Sequence, residues 1–136
     1  MAAELFVRPA VEDDSSVIEG HRIAARHEAQ NYRGSLQDGG SSEHEISFVG
    51  GFGTTVMGSL TVSVTDNQAH IGHVFVVPEA REVGLADSLL QFVISVLQTK
   101  GVTQVGAQAL PGDRAMKNLF ERHGLIAQTI IVGKSL

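Results

Sequence analysis

Two apolar spacings alternate along the chain. Between Thr55 and Val64, apolar and small polar residues take turns and β-branched side chains dominate, which predicts a half-buried strand. Between Leu85 and Leu97 the rhythm changes to three and four. Leu85, Leu89, Leu90, Val93, Ile94 and Leu97 then make the clearest helical face in the protein. Other segments follow one rhythm or the other. Leu5–Arg8 reads as a short strand stopped by Pro9. Glu12 to Ser16 supplies capping residues and first-turn acids for a helix with a rough stripe at Val17, Ile18, Ile23 and Ala24. That signal fades toward Tyr32, with a second short helix optional. Gly34–Glu43 is a polar Gly/Ser-rich loop.

Strands are expected over Ile46–Phe52 and Ala69–Val77, the latter buried on both faces at Phe75, Val76 and Val77. Gly101 ends the long helix. Val102–Leu110 is the next strand, stopped by Pro111. Asp113 then caps a helix carrying Ala115, Met116, Leu119 and Phe120, which ends near Gly124, and Leu125–Val132 is a closing strand. The order β-α-(α)-β-β-β-α-β-α-β predicts an α/β protein, a mixed sheet with helices on its faces.

At 136 residues the chain has room for one domain, taken as residues 1–136. With no cysteine it carries no disulfide framework, thiolate metal site or cysteine nucleophile. No basic n-region with a long apolar core opens the sequence, and no apolar run spans a bilayer, so a cytoplasmic protein without membrane partners is expected. A formal charge of -5, with ten spread Lys and Arg, argues against nucleic acid. It also means that a polyanionic ligand would have to be held by local backbone donors rather than by the overall field.

One place offers such donors. From His73 to Leu90 an apolar run stops at Pro78, a turn containing Gly84 comes next, and the long helix begins. A helix N-terminus presents unpaired N–H groups and the positive end of the macrodipole, a ready anion seat. Arg81-x-x-Gly84-x-Ala86 fits an R/Q-x-x-G-x-G/A pattern. Val7-Arg8-Pro9-Ala10 followed by Asp13 forms an opening strand and helix. Asp113-Arg114-Ala115 through Leu119-Phe120 to Gly124-Leu125 forms an ending of the type N-x-x-A…(L/F)-Y-x-x-x-G-F. With these three motifs in order, the chain resembles the GNAT superfamily of acetyl-CoA-dependent N-acetyltransferases from end to end.

That resemblance implies the GNAT fold. It implies acetyl-CoA as cosubstrate, no metal, and direct attack of a primary amine, from a small molecule or a peptide, on the thioester. Backbone donors to pantetheine and thioester would map to Val74, Phe75 and Val76. Pyrophosphate donors would map to Glu82, Val83, Gly84, Leu85, Ala86 and Asp87, with Asp113 in the family's Asn position. His70 and His73 lie where related enzymes place a general base, and an imidazole suits that task near neutral pH. In a regular strand residues three apart face opposite ways, so one of the two would reach the site, and a two-His metal site is disfavoured. A bulge would shift that alternation. The family carries one in this strand, which leaves the choice between them open. His27 and Tyr32 belong to the region that forms one wall of the acceptor site in the family, although a solvated helix face explains them equally well. Glu82 replaces the family's usual Gly or basic residue, and Phe120 its usual Tyr. These departures support an alternative, a catalytically weak GNAT-like acyl-CoA-binding or regulatory module. A homodimer is compatible with either reading.

Overall fold

The computed structural model describes residues 3–36 and 44–136. Most of the Gly/Ser-rich loop expected over Gly34–Glu43 therefore lies outside the described residues. The elements run β1 (Leu5–Pro9), α1 (Ser15–Ala29), β2 (Glu45–Phe52), β3 (Thr55–Thr65), β4 (Gln68–Val76), α2 (Leu85–Thr99), β5 (Gln104–Gly106) and α3 (Arg114–Arg122). The strands form one sheet in the order β1-β2-β3-β4-β5. The first four are antiparallel neighbours, and β5 joins β4 in parallel. This is the mixed sheet expected from the apolar pattern. No helix among the described residues is long and apolar enough to cross a membrane.

The α2 stripe forms the core. Leu85, Leu89, Leu90, Val93 and Leu97 are buried against Phe48, Leu60, Val62, Ala69, Ile71, Val74 and Val76. Burying each large side chain contributes about 1.5–3 kcal/mol. α1 packs across β3 and β4 on the other face, where His21 reaches Ser59 and Phe75. Leu60 and Val62 point into the core, so Ser59 and Thr61 must point toward α1.

Two expectations fail at the C-terminal side. The strand expected over Val102–Leu110 is paired only at Gln104–Gly106. Residues 125–136 form no strand, and Ile130 and Val132 are each 87% exposed. A strand needs a backbone partner as well as apolar residues, and a three-residue β5 offers almost none. The optional second helix before Tyr32 is likewise absent among the described residues, since α1 ends at Ala29.

The short β5 leaves much of one β4 edge without a neighbour. Its register with β4 covers only Gln68–His70 against Gln104–Gly106. Beyond that point the two strands part, and among the described residues β4 continues from Ile71 to Val76 with no strand on that side.

Candidate active site

The open edge of β4 presents backbone donors selectively. Val77 N–H bonds Met57 O at 2.8 Å, which fixes the alternation along β4. Phe75, two residues back, therefore turns its N–H toward β3. Val74 and Val76 turn theirs toward the open edge. Of the three thioester donors expected at Val74, Phe75 and Val76, this corrects Phe75: its backbone is spent on the ladder. The carbonyl of Val76 also faces the open side, where Arg81 Nε donates to it at 2.8 Å.

Past β4 the chain makes a short 3₁₀ turn at Pro78–Ala80 and enters the loop before α2. Glu82 has φ 68° and Gly84 φ 85°, both left-handed. The first N–H of α2 with a backbone partner is that of Ser88, which bonds Gly84 O at 3.0 Å. The six preceding N–H groups, of Glu82, Val83, Gly84, Leu85, Ala86 and Asp87, meet no acceptor among the described residues. Left-handed residues turn successive N–H groups toward one concavity, a geometry suited to anions. A Cβ at Gly84 would meet nothing within 4 Å, so the space before the helix is open. The backbone requirement for a pyrophosphate seat is thus met where the motif lies.

Side chains complete the surroundings. Asp87 is turned away: Arg122 donates to its carboxylate at 3.0 and 3.1 Å, and His123 lies at 2.9 Å. The Arg122 hydrogen bonds, chiefly, hold the Asp87 carboxyl below its usual range. Toward an anion Asp87 thus offers its N–H, and Arg122 and His123, at the end of α3, stand beside a loop that carries no Lys or Arg after Arg81. Asp113 accepts from Met116 N–H at 3.2 Å and caps α3. Arg81 is likewise held away from the loop. It pairs with Glu28 of α1, bonds Val76 O and lies over the Phe75 ring at 5.4 Å. Phe120 is buried in the core, with no hydroxyl to offer.

On the α1 side, β4 carries a bulge. His73 is opposite Thr61 and Ile71 opposite Val62, which leaves Gly72 unpaired between them. A Cβ on Gly72 would come within 2.8 Å of Thr61 Oγ1, so this position needs glycine. The extra residue resets the alternation. Ala69, Ile71, Val74 and Val76 face the core, and His70, His73 and Phe75 share the α1 side. Regular alternation would have put His70 and His73 on opposite faces; the bulge puts them on one. Among the described residues no three metal-ligating side chains gather with them.

The two histidines differ in surroundings. His73 Nε2 is 2.9 Å from Ser59 Oγ and its Nδ1 is 3.0 Å from Thr61 Oγ1, so both ring nitrogens are engaged. Burial, with smaller contributions from Arg22 and His21, pushes its pKa down to about 4. His70 is part-buried near the parting of β4 and β5, 3.4 Å from Gln108 Nε2. His27 is exposed on α1. Tyr32 lies against Gly112 in the turn before α3, where a Cβ would meet its Cδ1 at 3.6 Å.

Sequence reasoning missed His21, Ser59 and Thr61, all buried polar residues. Within α1 nothing distinguishes His21 from a surface residue. The alternation of Ser59 and Thr61 with Leu60 and Val62 was the available sign, but a polar strand face usually meets water. Here α1 covers it.

Glu82 makes a local prediction. A non-glycine residue in the left-handed region costs about 1 kcal/mol or more, and a carboxylate opposes an anion at a helix N-terminus by about 0.3–1 kcal/mol. Glu82→Gly is expected to tighten CoA binding about two- to fivefold at low salt without loss of stability. Unchanged affinity by calorimetry would mean that this carboxylate does not feel the seat.

Comparisons with known proteins bear on the family and the fold. The model of the acetyltransferase (GNAT) family matches residues 9–125. No curated protein matches the chain by sequence. Among solved structures, the chain is similar to the aminoglycoside N-acetyltransferase AAC(6')-Iy in complex with CoA, with TM-score 0.75, 14% identity, and coverage of 100% of this chain and 97% of that one. It is also similar to an aminoglycoside acetyltransferase from an uncultured soil metagenomic sample, crystallised with sisomicin (TM-score 0.73, 17% identity, 97% and 95% covered). A third is a predicted acetyltransferase of Clostridium acetobutylicum crystallised with acetyl-CoA (TM-score 0.73, 10% identity, 97% and 96% covered). At these identities the likeness concerns the fold. The family match spans most of the chain, from Pro9 of the opening motif through the whole of the loop and closing motifs, and on that ground the protein belongs to the GNAT acetyltransferase family.

Proposed function

We propose that the protein is an acetyl-CoA-dependent N-acetyltransferase that acetylates a primary amine of a small molecule or peptide by direct transfer. The observation that carries this reading is the continuity of two sets of unpaired donors. Six N–H groups before and within the first turn of α2 adjoin the open edge of β4, where Val74 and Val76 present theirs. The first set suits a pyrophosphate and the second a pantetheine amide and a thioester oxygen. When bound, acetyl-CoA supplies the activated acyl group and a thiol leaving group. This chain's residues do the rest. The loop and Gly84 hold the phosphates, and the β4 edge orients the acyl end and polarises its carbonyl. The α1 side of β4, with His70 and His73 on one face, receives the amine. Tyr32, against Gly112, and His27 on the adjoining helix border the acceptor side. Asp113 contributes to the cofactor side by fixing the start of α3. With Phe120 in the core, the departing thiolate is protonated without a tyrosine, a tolerable loss because a thiolate is a far better leaving group than an alkoxide.

The test is release of free CoA from acetyl-CoA across an amine panel: aminoglycosides, polyamines, amino acids and peptide N-termini. Turnover with one class and not the others is expected. Phe120 and Glu82 favour a second reading, an acyl-CoA-binding regulatory module. Saturable acetyl-CoA binding with no turnover on any amine would establish that reading instead.

A further inference from the structure

The buried polar groups on the α1 side form a chain with one open end. His21 is 8% exposed, and its Nδ1 lies 2.7 Å from Ser59 Oγ. Ser59 Oγ lies 2.9 Å from His73 Nε2, and His73 Nδ1 lies 3.0 Å from Thr61 Oγ1. Thr61 Oγ1 also accepts the His73 backbone N–H at 3.2 Å. His73 therefore has no nitrogen left with which to touch a substrate. His21 does. Its Nε2 meets no partner among the described residues, yet no buried side-chain nitrogen or oxygen is left unsatisfied, so this atom reaches the surface. It does so beside Phe75, whose ring centroid is 5.0 Å from that of His21. Phe75 stands between Val74 and Val76, the two donors of the open β4 edge.

We propose that His21 Nε2 is the atom that takes the proton from the acceptor amine, with Ser59, His73 and Thr61 as positioning residues behind it; this rests on the acetyl-transfer reading above. Once His21 carries its proton on Nδ1, valence sets the rest of the order. If His21 Nδ1–H donates to Ser59, the Ser59 hydroxyl donates to His73 Nε2, and His73 Nδ1–H donates to Thr61. Each of these three protons then has an acceptor, and His21 Nε2 keeps its lone pair. When that nitrogen gains a proton, the imidazolium still donates Nδ1–H to Ser59, and no other bond changes. The charge thus arrives in a site whose dipoles already point the right way. Burial lowers the His21 pKa, which keeps the ring neutral and ready at neutral pH. In the step itself, the amine nitrogen bonds the acyl carbon as the carbon–sulfur bond breaks. The electron pair stays on sulfur, and the proton passes from nitrogen to His21 Nε2, directly or through one water, and then to sulfur or solvent.

The deciding measurement needs no acceptor. In protein labelled with ¹⁵N-histidine at pH 7.5, His21 is expected as the Nδ1–H tautomer, the rarer form. Ser59→Ala should release it to the Nε2–H form, and Ser59→Thr, which keeps the hydroxyl, should restore it. An Nε2–H tautomer of His21 in the wild type overturns the proposal whatever the turnover, because Nε2 would then have no lone pair. Once an amine is found, His21→Asn is the kinetic test. The Asn amide can stand where Nδ1 stands and bond Ser59, but it cannot take a proton. A fall of about 10²–10⁴ in kcat is expected, with KM for acetyl-CoA nearly unchanged. Wild-type kcat in His21→Asn, with the loss found in His70→Gln instead, overturns it. Absence of turnover on every amine, with the Nδ1–H tautomer intact, counts against the acetyl-transfer reading rather than against the held imidazole.

Discussion

Lowering the pH from 6.5 to 4 is expected to cost the protein about 3 kcal/mol of folding stability through His73 alone. The folded-state pKa is about 4, set first by burial and then by Arg22 and His21. In the unfolded chain the same group titrates near ~6.5. As pH falls through this window the unfolded chain binds a proton that the folded protein refuses, so stability drops. Above the unfolded value the contribution is fully present, and below the folded value no more is lost. The difference of about 2.5 units corresponds to about 3 kcal/mol. His21, also lowered by burial, adds in the same direction. Asp14, held low chiefly by its hydrogen bond to Arg8, and Asp87 act mainly below this window, because a lowered carboxyl begins to lose its contribution as the pH falls through its unfolded value near ~3.9 and has lost it all below the folded value. The cost at His73 is one of solvation rather than bonding, since Ser59 and Thr61 can accept from both nitrogens of the imidazolium. Urea midpoints at pH 7, 5.5 and 4 for wild type and His73→Gln would test this. The variant should lose most of the slope between pH 6.5 and 4, and an equal slope in both proteins would remove His73 as the cause.

The parts of this site that were legible in the sequence are those fixed by local chemistry. Pro78 ends a strand because it cannot continue the ladder, Gly84 can enter the left-handed region cheaply, and the Leu85–Leu97 stripe has one period. Together they locate the run of unpaired N–H groups before α2 without any tertiary information. Asp113 was legible as a cap for the same reason. What failed depends on partners. Ile130, Ile131 and Val132 have strand-like composition, but no neighbouring backbone takes them up. The placing of His70 and His73 turned on a single unpaired glycine, Gly72, and glycine inside a strand pattern is itself a sign of a bulge. The seclusion of Ser59 and Thr61 depends on α1 docking over them, and no periodicity within β3 carries that information. Arg81 and Asp87 show a third kind of limit. Both lie in the loop motif, yet their side chains are committed to Glu28 and Arg122 from distant elements, so the motif supplies backbone there and not charge.

Acetyl-CoA at a hundredfold excess over its dissociation constant is expected to raise the stability of the wild type by about 2.7 kcal/mol, a rise in Tm of about 10 °C for a chain of this size. Gly84→Trp should abolish that rise. The added Cβ meets no protein atom within 4 Å, so the indole has room but occupies the space before the six unpaired N–H groups. At φ 85° any non-glycine residue also pays about 1–2 kcal/mol of backbone strain, and a loss of binding could be blamed on that strain. Gly101 separates the two effects. It sits just past the opposite end of α2 at φ 81°, also with nothing within 4 Å of a Cβ. Gly101→Trp therefore carries the same strain at the negative end of the same helix, where no anion is attracted. Both variants should melt a few degrees below wild type without ligand, and only Gly101→Trp should recover with acetyl-CoA. Equal recovery in the two would move the phosphate seat away from the N-terminus of α2 and leave its six free N–H groups without a ligand. Recovery in neither would show that the response comes from strain transmitted along the helix and not from blockage at Gly84.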